Sequence, residues 1–308
     1  MAVSDRERHE GASTLNVRVI PRLDIKGPNL VKGIHFEGLR VLGRPEDFAR
    51  RYYEDGADEL VYMDVVASLY GRNSLLDIVE RTSKEVFIPL TVGGGLRSPD
   101  DIRRVLRAGA DKVAINTAAI ARPELIREAS RAFGSSTIVV SIEAIRRPDG
   151  TYEAYVDYGR QSTDVDAIEW AKRAVDLGAG ELLVTSIEQD GTGRGLDLEL
   201  TRAIAAAVPI PVIAAGGAGR VAHVSDVIAR GAADAVCVAS LLHYHYARQA
   251  PFDAGNFQHE GNVEHLRRRA GFGNVEEATL ADIKEHLLAQ GIGCRRPETQ
   301  SLTAVARA

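Results

Sequence analysis

Cysteine is almost absent from this chain, which has only Cys237 and Cys294 in 308 residues. So few cysteines exclude a disulfide framework and a cysteine-rich zinc site, and we expect a reducing, cytoplasmic setting. No apolar run reaches the ~20 residues of a membrane span, and the polar start MAVSDRERHEGAST lacks the apolar core of a signal peptide. The sequence therefore predicts a soluble protein without membrane contact.

An excess of basic residues is also missing, because 43 Asp and Glu outnumber 38 Lys and Arg and give a formal net charge of -5. Nucleic-acid binding depends on clustered Lys and Arg that neutralise phosphates, so we expect no nucleic-acid partner. No His and Cys residues stand at metal-ligand spacing; the nearest group, HYHY (243–246), is expected to be a solvated loop. We predict neither a metal nor a cofactor.

Short apolar runs rich in Val, Ile and Leu recur along the chain. Eight of them predict strands, near residues 17–25, 59–66, 87–92, 112–116, 137–143, 181–187, 211–215 and 235–239. The segments between them have helical patterning, with Ser or Thr and early acids at the start and Gly at the end, as in SPDDIRRVLRAGA (98–110) and TDVDAIEWAKRAVDLGA (163–179). This alternation predicts an α/β fold with a parallel sheet, and eight units predict a closed (β/α)8 TIM barrel.

An internal repeat supports closure of the barrel. GADELVYMD (56–64) parallels GAGELLVTS (178–186), and residues 88–120 parallel residues 210–242, each pair starting 122 residues apart. The repeat therefore predicts a barrel built from two similar half-barrels. A doubly wound dinucleotide-binding sheet would need GxGxxG after the first strand, where KGPNLVKG (26–33) stands instead.

The whole chain, 1–308, is interpreted as a single barrel domain. After the last predicted strand the apolar pattern is lost, and it returns only in LADIKEHLLAQ (280–290). We interpret residues near 246–279 as an insertion, followed by a closing helix and a C-terminal tail.

Acids end several of the predicted strands, at the side of the barrel where catalytic groups gather. They are Asp24, Asp64 and Glu143, with Glu188 and Asp190 just after the sixth strand. Asp24 and Glu143 occupy matching places in the two repeats, so we predict that they face each other and divide proton donation and acceptance. The alternative is that each acid pairs with a neighbouring base or caps the next helix.

Glycine runs are duplicated as well. VGGGL (92–96) and AAGGAGR (214–220) each lie at the end of a predicted strand. In each repeat the next strand ends in small polar residues, INT (115–117) in the first and VAS (238–240) in the second. Glycine lets backbone N–H groups approach an anion at the start of a helix, so the pattern predicts two phosphate sites and a bisphosphorylated substrate. The alternative is that glycine merely permits tight turns.

Charged residues stand where four apolar strands begin: Arg18, Glu59, Lys112 and Glu181. They indicate either salt bridges that close the barrel floor or a functional site, and the residues alone favour neither.

Taken together, these motifs resemble the cyclase family of imidazole glycerol phosphate synthase. The resemblance covers residues 16–245 and the closing helix, and rests on IPRLDIK, LVKG, GADELVYMDVVAS, PLTVGGG, GADKVAINTAA, GAGELLVTSIEQDGT, IPVIAAGGAG and VASLLH in this order. It implies a lyase of histidine biosynthesis that adds ammonia to the bisphosphorylated intermediate PRFAR and yields imidazole glycerol phosphate and AICAR. It also implies a heterodimer with a glutaminase subunit that supplies the ammonia.

The resemblance also implies roles for individual residues. The two catalytic aspartates of the family correspond to Asp24 and to Glu143. Asp24 matches in residue type and position, whereas Glu143 matches in position only. Substrate and phosphate contacts fall on Lys32, Gly95, Asn116, Thr117, Asp190, Gly191, Gly217, Ala239 and Ser240. The family's ammonia gate falls on Arg18, Glu59, Lys112 and Glu181.

The sequence departs from the family pattern at a few positions. Glu143 and Glu188 stand where the family has Asp, Arg22 stands where it has a small or apolar residue, and the region near 246–279 is longer. An alternative function is therefore that of a paralog that uses ammonia on another acceptor, for example a nucleotide sugar in surface-glycan biosynthesis. Further alternatives are a non-catalytic, glutaminase-binding regulator and the sister isomerase, which needs no ammonia.

Overall fold

A closed barrel of eight parallel strands forms the centre of the molecule. The computed structural model describes residues 16–67, 75–249 and 274–296. The barrel strands are β1 (Arg18–Lys26), β4 (Leu60–Asp64), β5 (Leu90–Gly93), β6 (Lys112–Ile115), β7 (Ile138–Arg146), β10 (Glu181–Ser186), β11 (Val212–Ala215) and β12 (Ala235–Val238). Each pairs in parallel with the next, and β12 pairs with β1. The predicted (β/α)8 barrel is confirmed, and each of the eight predicted runs overlaps one barrel strand.

Helices surround the barrel. They are α1 (Pro45–Glu54), α2 (Leu76–Thr82), α3 (Pro99–Arg107), α4 (Thr117–Ala121), α5 (Glu124–Phe133), α6 (Ala167–Asp176), α7 (Leu198–Ala207), α8 (Val221–Ala229), α9 (Ser240–Gln249) and α10 (Leu280–Ala289). The predicted start of α3 is correct, because the Ser98 side chain accepts a hydrogen bond from the backbone N–H of Asp101. For α6, in contrast, the cap is Asp166 and not Thr163.

Two antiparallel hairpins follow corresponding barrel strands, and the sequence analysis missed both. The first consists of β2 (Asn29–Ile34) and β3 (Glu37–Gly43), the second of β8 (Tyr152–Val156) and β9 (Gln161–Asp166). Each pairs with the end of its barrel strand, β2 with β1 and β8 with β7. Thr163 lies inside β9, which is why α6 begins later than expected.

The register of the sheet preserves the internal repeat. Asp24 pairs with Met63, and Glu143 pairs with Thr185. Met63 and Thr185 are 122 residues apart, the spacing of the repeat. The two acids therefore occupy equivalent positions of the two half-barrels.

Strand alternation places side chains in layers inside the barrel. Because alternate residues of a strand face the same side, Arg18, Ile20, Arg22 and Asp24 all face inward. Ile20 packs there with Val61, Leu183 and other interior residues. The opposite faces of the strands pack against the helices in a second and larger apolar cluster. The interior thus has charged groups at both ends and an apolar layer between them.

Two further expectations concern the C-terminal third of the chain. HYHY is not a solvated loop, because it lies in α9, where His243, Tyr244 and Tyr246 are buried. Most of the expected insertion (250–273) and the tail (297–308) lie outside the described residues. The closing helix is α10, which begins with a capping box between Thr279 and Asp282. Among the described residues, none of the helices has the length and apolar character needed to cross a bilayer.

Candidate active site

Asp24 lies at the mouth of the barrel, near the end of β1, and its side chain is 2% exposed. Its carboxylate accepts hydrogen bonds from Arg22 Nε (2.9 Å) and from the Tyr158 hydroxyl (3.2 Å). Burial by itself raises the pKa of a carboxyl, but the charges of Arg22 and Lys32 outweigh it and hold the Asp24 pKa below its ordinary value. Asp24 is therefore a carboxylate at neutral pH.

Glu143 lies at the equivalent position on β7 and is also buried. One of its carboxylate oxygens has no hydrogen-bond partner among the described residues. Burial raises the Glu143 pKa to about 7, against the lowering effect of Arg22 and with a further increase from Asp24 and Asp190. Glu143 can therefore carry a proton near neutral pH, and the two acids differ in protonation state.

Arg22 lies beside these two acids, and the sequence analysis gave it no role. Its Nη1 donates to Thr185 Oγ1 (3.1 Å), and its guanidinium lies 5.7 Å from the centre of the Phe36 ring. Its Nη2 has no partner among the described residues. A sequence signal did exist: Arg22 precedes Asp24 by two residues in an apolar strand, so both face the barrel interior.

The first predicted phosphate site forms a cavity of about 380 Å³. Gly95, Asn116 and Thr117 line it together with Glu143 and Tyr158. Asn116 Nδ2 donates to the carbonyl of Tyr155 (3.1 Å), and Thr117 Oγ1 accepts from the N–H of Asp157 (3.1 Å). The second hairpin is thus anchored on the residues predicted to bind phosphate.

The second predicted phosphate site is much smaller, with a cavity of about 20 Å³. Its lining includes all the residues predicted for this half: Lys32, Asp190, Gly191, Gly217, Ala239 and Ser240. Lys32 Nζ donates to both carboxylate oxygens of Asp190 (2.8 and 3.0 Å). Arg22 and Asp24 line the same cavity, so the Arg22 side chain takes up space beside the glycine turn.

The two hairpins meet above the mouth of the barrel. Phe36 and Tyr158 stack with their ring centres 4.2 Å apart. Each hairpin turn contains two consecutive residues with positive φ, His35 and Phe36 in the first and Asp157 and Tyr158 in the second. The aromatic residue is the second of the two in both turns. Because Phe36 contacts Arg22 and Tyr158 contacts Asp24, the stacked rings cover both residues.

The four charged residues of the barrel floor form one ion-pair network. Arg18 bonds to Glu59 (2.5 Å) and Glu181 (2.8 Å), and Lys112 bonds to Glu59 (3.2 Å) and Glu181 (2.8 Å). Each cation thus bridges both acids. The network is the lowest layer of the interior. Arg18 and Glu59 precede Ile20 and Val61 of the apolar layer by two residues, which is the repeat of a strand.

The structure brings every predicted site residue to the expected end of the barrel. It places the two acids in different cavities, however, with Glu143 in the larger and Asp24 in the smaller. Phe36 and Tyr158 are residues at the mouth that sequence reasoning missed, and Arg22 was noted only as a departure from the family pattern. Within the described ranges, no three His, Cys, Asp or Glu side chains are grouped so that they could hold a metal ion.

Comparison with known proteins agrees with this geometry. A family model described as "Histidine biosynthesis protein" matches residues 18–248. The chain belongs to the histidine biosynthesis family. The matched range begins at β1 and ends in α9, so it includes the complete barrel and both hairpins.

Several curated relatives in this family carry the name imidazole glycerol phosphate synthase subunit HisF. The protein from Legionella pneumophila is 58% identical over 205 residues, which are 67% of this chain and 97% of the relative. That from Streptomyces avermitilis is 52% identical over 231 residues, 75% and 92% of the two chains. That from Methanopyrus kandleri is 48% identical over 270 residues, 82% and 96% of the two chains.

Proposed function

We propose that this chain is the cyclase subunit of imidazole glycerol phosphate synthase. It then uses ammonia to convert PRFAR into imidazole glycerol phosphate and AICAR, in the biosynthesis of histidine. The observation that carries the proposal is a pair of equivalent acids, one ionised and one with a pKa of about 7, between two glycine-lined cavities. The names of the relatives support the same function.

The different environments of the two acids suggest their roles. Adding ammonia to a carbonyl group requires a base that removes protons from the attacking nitrogen, and cleavage requires an acid that protonates the leaving group. We assign the base to Asp24, whose pKa is held low, and the acid to Glu143, whose pKa is raised to about 7. This assignment follows from the charges around each carboxyl group.

The two glycine turns are proposed to hold the phosphate groups of the substrate. In the first cavity the contacts fall on Gly95, Asn116 and Thr117. In the second cavity they fall on Gly191, Gly217, Ala239 and Ser240, while the Lys32–Asp190 ion pair connects the first hairpin to this site. A phosphate at each end of a substrate would place its middle between Asp24 and Glu143.

The floor network is proposed to be the entrance for ammonia. Arg18, Glu59, Lys112 and Glu181 lie at the opposite end of the barrel from Asp24, with the interior between them. A glutaminase subunit docked on this end, in a heterodimer, would release ammonia next to the network. This route keeps ammonia away from solvent.

One observation favours a second candidate function. Arg22 lines the second cavity, which has a volume of only about 20 Å³, and it forms an ion pair with the proposed base. A site of this shape is also suited to a smaller or differently charged acceptor than PRFAR. The second candidate is therefore an ammonia-using enzyme of the same design that acts on another acceptor.

The proposal is tested with purified protein, PRFAR and ammonium salt, with AICAR release as the readout. The wild-type protein should release AICAR, and Asp24→Asn should reduce the rate by at least about 100-fold because the base is lost. Asp149→Asn is the control, since Asp149 is exposed and, among the described residues, forms its hydrogen bonds with Thr151 of the same turn. A wild-type protein that binds PRFAR without releasing AICAR contradicts the first candidate and supports the second.

A further inference from the structure

Arg22 breaks the symmetry of the two half-barrels. It pairs with Val61 in the sheet, and Ser141 pairs with Leu183. Val61 and Leu183 are 122 residues apart, so Arg22 and Ser141 are equivalent positions of the repeat. One half thus has a long cation at the place where the other has a small hydroxyl.

Contacts from four directions fix the Arg22 side chain and backbone. Its Nε bonds to Asp24, its Nη1 bonds to Thr185, and the Phe36 ring lies against the guanidinium. Its backbone carbonyl accepts from His243 Nε2 (2.9 Å), and His243 Nδ1 accepts from the Tyr52 hydroxyl. The guanidinium therefore has one defined position.

That position lies between the two acids. Arg22 starts from β1, beside Asp24, and reaches Thr185 on β10. Thr185 is the residue paired with Glu143 in the sheet. The Arg22 side chain thus spans the barrel interior from the strand of one acid to the neighbour of the other.

We propose that Arg22 is a positioning residue of the ammonia-dependent reaction: its guanidinium holds Asp24 as a carboxylate, in one orientation and apart from Glu143, so that Asp24 alone acts as the base. The kinetic part of this inference rests on the proposed function. The structural part, that Arg22 determines the state of Asp24, does not depend on any substrate.

The charges around Asp24 explain why one arginine has this effect. Besides Arg22, the ionisable groups that face Asp24 among the described residues are those of Lys32, Glu143, Tyr158, Asp190, Cys237 and His243. The Cys237 thiol is neutral, because burial raises its pKa to about 12. Lys32 is already paired with Asp190, and His243 is neutral, since burial lowers its pKa to about 4. Arg22 is the charge that most strongly offsets the burial of Asp24, so without Arg22 the pKa of Asp24 would rise.

The test compares Arg22→Met, which keeps an unbranched side chain without the charge, with Arg22→Lys. The carboxyl groups are titrated by ¹³C NMR, and Asp24→Asn and Glu143→Gln spectra identify the two signals. In Arg22→Met the Asp24 pKa should rise by at least about one unit, with a smaller rise in Arg22→Lys. In the AICAR assay at constant free ammonia, the acidic limb of the pH profile should move upward by the same amount.

Arg81→Met is the matched control, because Arg81 pairs with Glu46 on the outside of the barrel and should leave titration and rate unchanged. An unchanged Asp24 pKa in a folded Arg22→Met protein overturns the inference, even if the wild type releases AICAR. If Arg22→Met does not fold, Arg22→Lys decides: wild-type values of the Asp24 pKa and of the rate overturn the inference. If the wild type is inert towards PRFAR, the proposed function fails, and the NMR titration still tests the role of Arg22.

Discussion

Glu143 is the residue at which the proposed acid can be tested most directly. Glu143→Gln cannot donate a proton and should lower AICAR release by about 100-fold or more, because general acid catalysis contributes about 10²–10⁴. Glu143→Asp keeps a carboxyl group on a side chain that is shorter by one methylene, so it should retain part of the activity.

The pH dependence of the wild-type enzyme tests the same assignment. At constant free ammonia, the wild-type rate should fall as the pH rises above about 7, where Glu143 loses its proton. A rate that keeps increasing through pH 8 would contradict the assignment.

The raised pKa of Glu143 should also make the stability of the protein depend on pH. The folded pKa of about 7 lies above the ordinary value of 4.5, so burial favours the protonated form. The stability that this form contributes is complete below pH 4.5 and is lost as the pH rises through 7. Glutamine does not ionise, so the melting temperature of Glu143→Gln should increase relative to that of the wild type between pH 5 and pH 8. A pH-independent difference, measured by calorimetry, would show that Glu143 is ionised when folded.

The positions of single residues in the barrel could be predicted where the repeat duplicated them, and could not be predicted where it did not. Asp24 and Glu143 were recognised as a pair because each ends a strand in matching halves. Arg22 has no charged counterpart, since Ser141 takes its place, and Tyr158 belongs to a hairpin that the sequence analysis did not anticipate. Their contacts depend on side chains from distant strands, which the spacing along one strand does not reveal.

The glycine turns are the elements whose geometry can be tested by adding one methyl group. Gly217 has φ +107°, and a Cβ there would lie 2.1 Å from the carbonyl oxygen of Gly195. That approach is needed for the hydrogen bond from Gly195 N–H to the Gly217 carbonyl (2.9 Å). Gly217→Ala should therefore distort the second cavity and raise the KM for PRFAR by about tenfold, measured in the AICAR assay, since small displacements in a binding site are costly.

Gly134 provides the control for this prediction. Its φ of +90° imposes similar strain on alanine, but the nearest atom to a Cβ is Ser136 Oγ at 4.0 Å. Gly134→Ala should lower the free energy of unfolding by about 1 kcal/mol through strain alone and leave the KM unchanged. Equal KM values for both variants would show that Gly217 serves the turn and not the site.

At the scale of elements, the sequence predicted the barrel strands but not the hairpins. The barrel strands are continuous apolar runs buried on both faces, which is a strong signal. The hairpin strands β3 and β9 are largely exposed or half-buried and carry many polar residues, as in QSTDVD (161–166). Their position is determined by pairing with the ends of β1 and β7 and by contacts at the mouth, which are tertiary effects.

For the whole molecule, the repeat was the feature that made the architecture predictable. Two copies of a strand and helix pattern 122 residues apart imply that the second half closes on the first. The sheet pairs β7 with β6 and β12 with β1, which are the two seams of that closure. The region near 246–279 has no counterpart in the first half, so the repeat gave no information about it.

The floor network connects both halves, and its removal should affect both stability and ammonia transfer. Lys112→Met leaves Glu59 and Glu181 with Arg18 as their only remaining cation within the network. Because the Lys112 side chain is 17% exposed, the loss of unfolding free energy should stay below the ~3–5 kcal/mol of a fully buried pair, measured by urea denaturation. In the complex with a glutaminase subunit, less imidazole glycerol phosphate should form per glutamine hydrolysed, while AICAR release with added ammonium should change little.

Lys172→Met is the control, since the ion pair of Lys172 with Glu169 is exposed on α6. If Lys112→Met matches that control in both measurements, the network neither closes the floor nor guides ammonia.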